Sequence, residues 1–119
     1  HFTGLTMFAC KNNSLTTLNV SKNTNLILLN CGGNSLTALD VSKNTALTKL
    51  LCYGNRMSEL DITTLSALVN PDNLQCGKQK KADGTTAQTL TLTLTQAQDN
   101  ISGFGEGEYN TGVTTTVKQ

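Results

Sequence analysis

Apolar residues in this chain fall into two short phrases, L-x-x-L-x-C and L-x-x-L-x-V, that alternate ten residues apart, and the pair recurs every 21 residues. Residues 26–46, LILLNCGGNSLTALDVSKNTA, are one copy; 5–25 and 47–67 are its neighbours, and a broken fourth copy begins at Leu68. The columns are chemically consistent. Leu5, Leu26, Leu47 and Leu68 share one, Phe8, Leu29 and Leu50 another, Val20, Val41 and Ile62 a third. Alternating apolar positions have the period of a half-buried strand. Each copy is therefore predicted to hold two short extended segments, with Leu29 and Cys31 inward on one side and Leu39 and Val41 inward on the other. No copy has room for ten residues of helical periodicity.

Turns are predicted three residues after each inward pair, at Asn34 and Asn44. An asparagine side chain there can hydrogen-bond backbone groups that the turn leaves unpaired. Asn13, Asn34 and Asn55 fall in one column and are expected to stack as an internal ladder. Leu65 stands where Asn23 and Asn44 stand in the earlier copies, so the second ladder is expected to stop there. One copy cannot bury its own apolar face; neighbours must cover it, and three or more copies are the usual minimum.

Beyond Leu68 the pattern loosens. Residues 69–73 interpose three extra positions around Pro71 before Leu74-Gln75-Cys76 restores the phase. The stretch 78–88 is polar, with Lys78, Lys80 and Lys81, and Asp83-Gly84 signals a turn. TLTLTLT at 89–95 alternates strictly and predicts a strand with Leu90, Leu92 and Leu94 on one face. Thr95 and Gln98 have the form of a capping box opening a short helix through Ile101. A glycine-rich acidic loop follows, then a strand over 113–117.

The columns spell L-x-x-L-x-C-x-x-N-x-L, the leucine-rich-repeat pattern with cysteine in one leucine slot. The chain resembles the 21-residue bacterial leucine-rich repeats of surface proteins of the Bacteroides group, and more distantly internalin-type repeats. The likeness covers 5–77; CGKQ followed by TLTLTLTQAQ resembles the tail that follows such repeats. It implies a right-handed leucine-rich-repeat solenoid, mostly β and loop with little helix, of the formal α/β repeat class, closed by a C-terminal strand–helix–strand cap. On this reading 1–4 is the remnant of a preceding repeat and 5–77 the solenoid (5–25, 26–46, 47–67 and a partial 68–77). Residues 78–88 form a linker loop, and 89–119 the capping segment, expected to cover the last coil and not to form another. His1-Phe2-Thr3-Gly4 aligns with the end of an earlier coil, so the chain reads as a fragment whose export signal would lie upstream.

Composition narrows the partners. Charged residues are 14% and the net charge is +1, which gives no electrostatic reason to propose nucleic acid or an acidic membrane surface. No run of 18 apolar residues is present, so direct membrane insertion is not expected. The four cysteines, Cys10, Cys31, Cys52 and Cys76, admit three readings. A zinc site needs four ligands converging at about 2.3 Å, which residues spaced by about 4.8 Å per coil cannot supply. A disulfide framework suits an even count, but in-register parallel strands point their Cβ atoms the same way. The reading taken is buried free thiols acting as small apolar fillers.

No catalytic constellation is visible: the one histidine is His1, and acids are scattered. The chain reads as a non-enzyme without metal or cofactor. Asn19, Asp40 and Asp61 form a partly acidic outward column read as a solvated face, and the lysine cluster as a solvated loop. Family resemblance implies an extracellular or cell-surface interaction or adhesion module that presents outward residues to a protein or glycan. Contact candidates on the L-x-x-L-x-C side are Lys11, Asn30, Leu51, Tyr53 and Gln75, with Leu51–Tyr53 foremost. The competing readings are a spacer and an accessory domain of a secreted enzyme, with no ligand of its own.

Overall fold

In the computed structural model, residues 4–101 and 103–119 are described; of the expected remnant at 1–4, only Gly4 falls among them. The first phrases of successive copies are strands β1 (Met7–Ala9), β2 (Leu28–Asn30), β3 (Lys49–Leu51) and β5 (Leu74–Gln75) of one parallel sheet. β4 (Glu59–Asp61) belongs to the second phrase of the third copy. Register aligns Phe8 with Leu29, Leu29 with Leu50, and Leu50 with Leu74. The repeat thus becomes direct stacking, and the three extra residues are absorbed in a 3₁₀ turn over Pro71–Asn73, capped by Asn70. The chain is a leucine-rich-repeat-like β-solenoid with very little helix. Leu26, Leu29, Leu36, Leu47, Leu50, Leu68 and Leu74 are wholly buried, while Leu5, Phe8, Leu15 and Leu18 of the first coil are only partly covered.

The second phrases behave differently. Residues 18–20 and 39–41 turn Val20, Leu39 and Val41 inward but pair with no strand. Their outward residues close local turns: Asn19, Asp40 and Asp61 side chains accept from the N–H of Ser21, Ser42 and Thr63 at 2.8–3.0 Å. A second parallel sheet starts only at β4 and continues through β8 (Leu90–Leu94) and β9 (Val113–Val117). Leu60 lies beside Leu92 and Leu92 beside Thr115.

The tail therefore has the expected order of strand, helix (α1, Gln96–Asp99) and strand, including both hydrogen bonds of the Thr95–Gln98 capping box. It is nevertheless not laid across the stack as a separate lid. β8 and β9 wind on in register as the second sides of a fourth and a fifth coil. Alternation explains this: Leu90, Leu92 and Leu94 extend the apolar columns of the coil below, and all three are buried. The stretch 78–88 is a hairpin, β6 (Gln79–Lys80) with β7 (Ala87–Gln88), antiparallel.

Amide side chains tie coil to coil. Asn34 Nδ2 donates to the Cys31 carbonyl of its own coil at 3.0 Å and to the Cys10 carbonyl of the coil before at 3.1 Å. Its Oδ1 accepts the Leu15 N–H at 3.1 Å. Asn55 repeats this with Cys52, Cys31 and Leu36. Gln79 takes the next rung, reaching Cys76, Cys52 and Met57. Asn13 is exposed and, among the described residues, bonds the Cys10 and Lys11 carbonyls of its own coil. The second ladder skips Leu65 and resumes: Asn44 Nδ2 donates to the Val20 and Asn23 carbonyls, and Gln98 Nε2 to those of Ile62 and Leu65.

The fifth coil closes the first sheet without a strand, through the Asn110 side chain and through the Gly77 and Lys78 N–H groups, which donate to the Tyr109 and Thr111 carbonyls at 2.8 and 2.9 Å. Asn110 Oδ1 accepts the Cys76 N–H at 2.8 Å and its Nδ2 donates to the Leu74 carbonyl at 2.9 Å. Gly77 permits this approach, since a Cβ there would lie 2.4 Å from the Asn110 carbonyl carbon. Gly77→Ala must push backbone aside, so it is expected to lower unfolding free energy by about 2 kcal/mol or more, measured by urea denaturation. An unchanged midpoint would mean that the last coil does not seat there.

Candidate functional site

The outward side of the first sheet carries one row of side chains per coil. Leu51 lies beside Asn30 on one strand and Gln75 on the next, so three of the expected contact residues are neighbours, all half-buried. Asn30 also turns inward on its own backbone, its Oδ1 accepting the Gly32 N–H at 3.3 Å. The row of Asn30 and Leu51 begins at Ala9; Lys11 stands exposed in the first coil, at the far end of the neighbouring row that runs through Gly32 and Tyr53. Two positions before Ala9, Asn30 and Leu51 lies a further outward row, Met7, Leu28 and Lys49; Met7 is 64% exposed and Leu28 half-buried, with exposed Ile27 beside them. Strand alternation marks this row as outward, although attention to the positions flanking cysteine passes over it.

Tyr53 is the centre of the face. Its ring lies over Gly32 of the preceding coil, where an added Cβ would come within 2.8 Å of the ring. On its other flank it meets Tyr109, with ring centroids 5.3 Å apart and planes inclined at 58°, a tilted aromatic pair of favourable geometry. Tyr109 is 41% exposed. It arrives on the fifth coil, outside the repeat, so no periodicity in the sequence joins it to Tyr53. Lys78 Nζ sits 4.8 Å from the Tyr109 ring centroid and 3.7 Å from Glu108. A cleft of about 200 Å³ runs alongside, between Pro71 and Asp72 on one bank and Glu106 to Asn110 on the other.

Behind this face the cysteines are free thiols, one in each of the first four coils. Burial pushes the Cys31 and Cys76 thiols up to about 12, and Cys52 well above its ordinary value. Neighbouring thiols add to the shift of Cys31 and Cys52. Half-buried Cys10 is raised by the same cause. At neutral pH these groups are protonated, apolar in behaviour and shielded from reagents.

The opposite side offers a groove of about 540 Å³ lined by Asp40, Glu59, Asp61, Thr93 and Lys118. Asp40 and Asp61 are committed to their own turns. The hydroxyl and N–H of Ser42 and Thr63 hold their carboxyls below the usual range, with Lys43 and Lys118 adding smaller effects. The column that the sequence suggests as acidic is thus an element of local structure.

No protein-family model matches the chain, and a search of curated proteins finds no match. Among solved structures it is similar to the functional domain of InlJ from Listeria monocytogenes, described as including a cysteine ladder, with 26% identity and a TM-score of 0.49. That similarity covers 96% of this chain and 34% of the other, so the chain spans about a third of that structure's length.

Proposed function

We propose that the chain is a protein-interaction module whose contact surface is the outward side of the first sheet, centred on Leu51, Tyr53 and Tyr109. One observation carries this reading. The stack brings two aromatic side chains, from the third and fifth coils, into contact on a partly exposed face, with a cleft beside Tyr109 and Leu51 two positions before Tyr53. Aromatic side chains near the centre of a rigid face are where binding energy concentrates. Lys11, Asn30 and Gln75 extend the surface along the rows. The likeness of the repeat to those of bacterial surface proteins supports an extracellular or surface location and an adhesion role.

The test is affinity for a purified ligand, measured by calorimetry with the intact chain and with Tyr53→Ala. Truncating a central aromatic is expected to weaken binding by about 2 kcal/mol, or roughly thirtyfold. Lys11→Ala, at the margin, is expected to change it by less than about threefold. Affinity indifferent to Tyr53→Ala would take this face out of the binding surface.

A further inference from the structure

Resting on that reading of the face, we propose that the notch at Tyr53 and Tyr109 receives the guanidinium of an arginine side chain on a peptide partner. The starting point is a backbone column. Asn12, Gly33, Gly54 and Lys78 occupy equivalent places in four coils, and all have positive φ, at 58°, 70°, 66° and 54°. Glycine and asparagine suit that left-handed turn, whereas a lysine Cβ crowds the following carbonyl there. Lysine at this position does one visible thing: it carries an ammonium over the Tyr109 ring and beside the Glu108 carboxylate. The molecule places its own cation on this notch, which identifies the chemistry the notch accepts.

The surroundings favour a second and better cation. Asp72, Glu106 and Glu108 line the adjoining cleft or its continuation, three exposed carboxylates against the single ammonium of Lys78. The Lys78 side chain is still 40% exposed and that of Glu108 79%, so the pair is loose and wet. A guanidinium is flat, less strongly hydrated, and able both to stack on a tyrosine face and to fork onto a carboxylate. It therefore displaces Lys78 from the ring while answering the charge of the cleft. A neutral sugar would have to uncover the same ring without offering Glu108 a replacement cation.

The experiment is a titration of the full chain, followed through the ring resonances of Tyr53 and Tyr109. The probe is the blocked peptide acetyl-Gly-Arg-Gly-amide, with its citrulline analogue as an uncharged isostere. Arginine is expected to shift both rings, with citrulline at least about tenfold weaker. Tyr109→Leu is expected to abolish the response. Lys78→Met, which removes the competing ammonium, is expected to tighten arginine binding by about threefold or more. Lys78→Gly, favoured by the left-handed backbone, makes the same test should the methionine variant fold poorly. Equal binding of citrulline, or weaker arginine binding in both Lys78 variants, overturns the proposal, as does a neutral oligosaccharide that shifts these rings where arginine does not. A partner lost on Tyr53→Ala but not displaced by the arginine peptide leaves the interaction surface standing and removes this inference. Arginine bound at the notch, with partner affinity indifferent to Tyr53→Ala, does the reverse.

Discussion

Asn55→Ala is expected to destabilise the chain by about 3–5 kcal/mol, while the same change at Asn13 costs under about 1 kcal/mol. The two residues hold the same place in the repeat, so sequence alone gives no reason for the difference. Asn55 is wholly buried and joins two coils: it donates to the Cys31 and Cys52 carbonyls at 3.0 Å and accepts the Leu36 N–H at 3.0 Å. Alanine leaves that N–H unpaired out of reach of water, and the penalty for an orphaned buried donor adds to the lost bonds. Among the described residues Asn13 bonds its own coil, and it stands in solvent, where water replaces what is lost. Urea denaturation of the two variants measures the contrast. Equal costs would show that the ladder does not join the coils.

Alkali is expected to unfold the chain through its thiols. Cys31 and Cys76 are raised from 9.0 to about 12, and Cys52 well above 9.0, mainly by burial. Below the unfolded pKa both states hold these protons and stability does not depend on them. Above it the unfolded chain releases protons that the folded chain keeps, so stability falls as pH rises from about 9 towards about 12. Each thiol contributes a slope of about 1.4 kcal/mol per pH unit, and three together about 4. A variant without the buried thiols isolates their share of that fall. The comparison is therefore with a Cys31→Ala/Cys52→Ala/Cys76→Ala variant, using urea midpoints at pH 8 and pH 10. The variant is expected to be weaker at pH 8 and to lose much less between the two. Parallel losses would mean that the thiols are not shielded.

The repeat was readable because stacking demands the same side chain at the same height in each coil, and 5–67 supply it without a gap. Phe8, Leu29, Leu50 and Leu74 line up as their spacing implies, and the alternation of TLTLTLT foretells which face of β8 is buried. Other features lie beyond a period of 21. The fourth coil carries a hairpin between Gln79 and Gln88, so that Leu92 follows its counterpart Leu60 by 32 residues and not by 21. The kinship of Leu92 with Leu60, and of Gln98 with Asn44, is therefore hidden from a fixed-period comparison. Gln79 did leave a signal, since C-G-K-Q sets a glutamine where the earlier coils have asparagine, and its longer side chain reaches the same carbonyls. Half of the candidate site was legible in the same way. Leu51, Tyr53 and Gln75 follow from strand alternation, and Lys78 stands in the repeat column of Asn12, Gly33 and Gly54, whereas Tyr109, the ring its ammonium covers, is delivered by a fifth coil that shares no repeat with the rest.

The central claim is that residues 21 apart lie one above another. The most direct measurement is a nuclear Overhauser spectrum of the folded chain with ¹³C at the cysteine Cβ atoms. The predicted result is an unbroken series of contacts, Cys10 to Cys31, Cys31 to Cys52 and Cys52 to Cys76, with none between Cys10 and Cys76. A spectrum in which Cys31 touches neither Cys10 nor Cys52 would contradict the stack, and with it the face on which Tyr53 and Tyr109 meet.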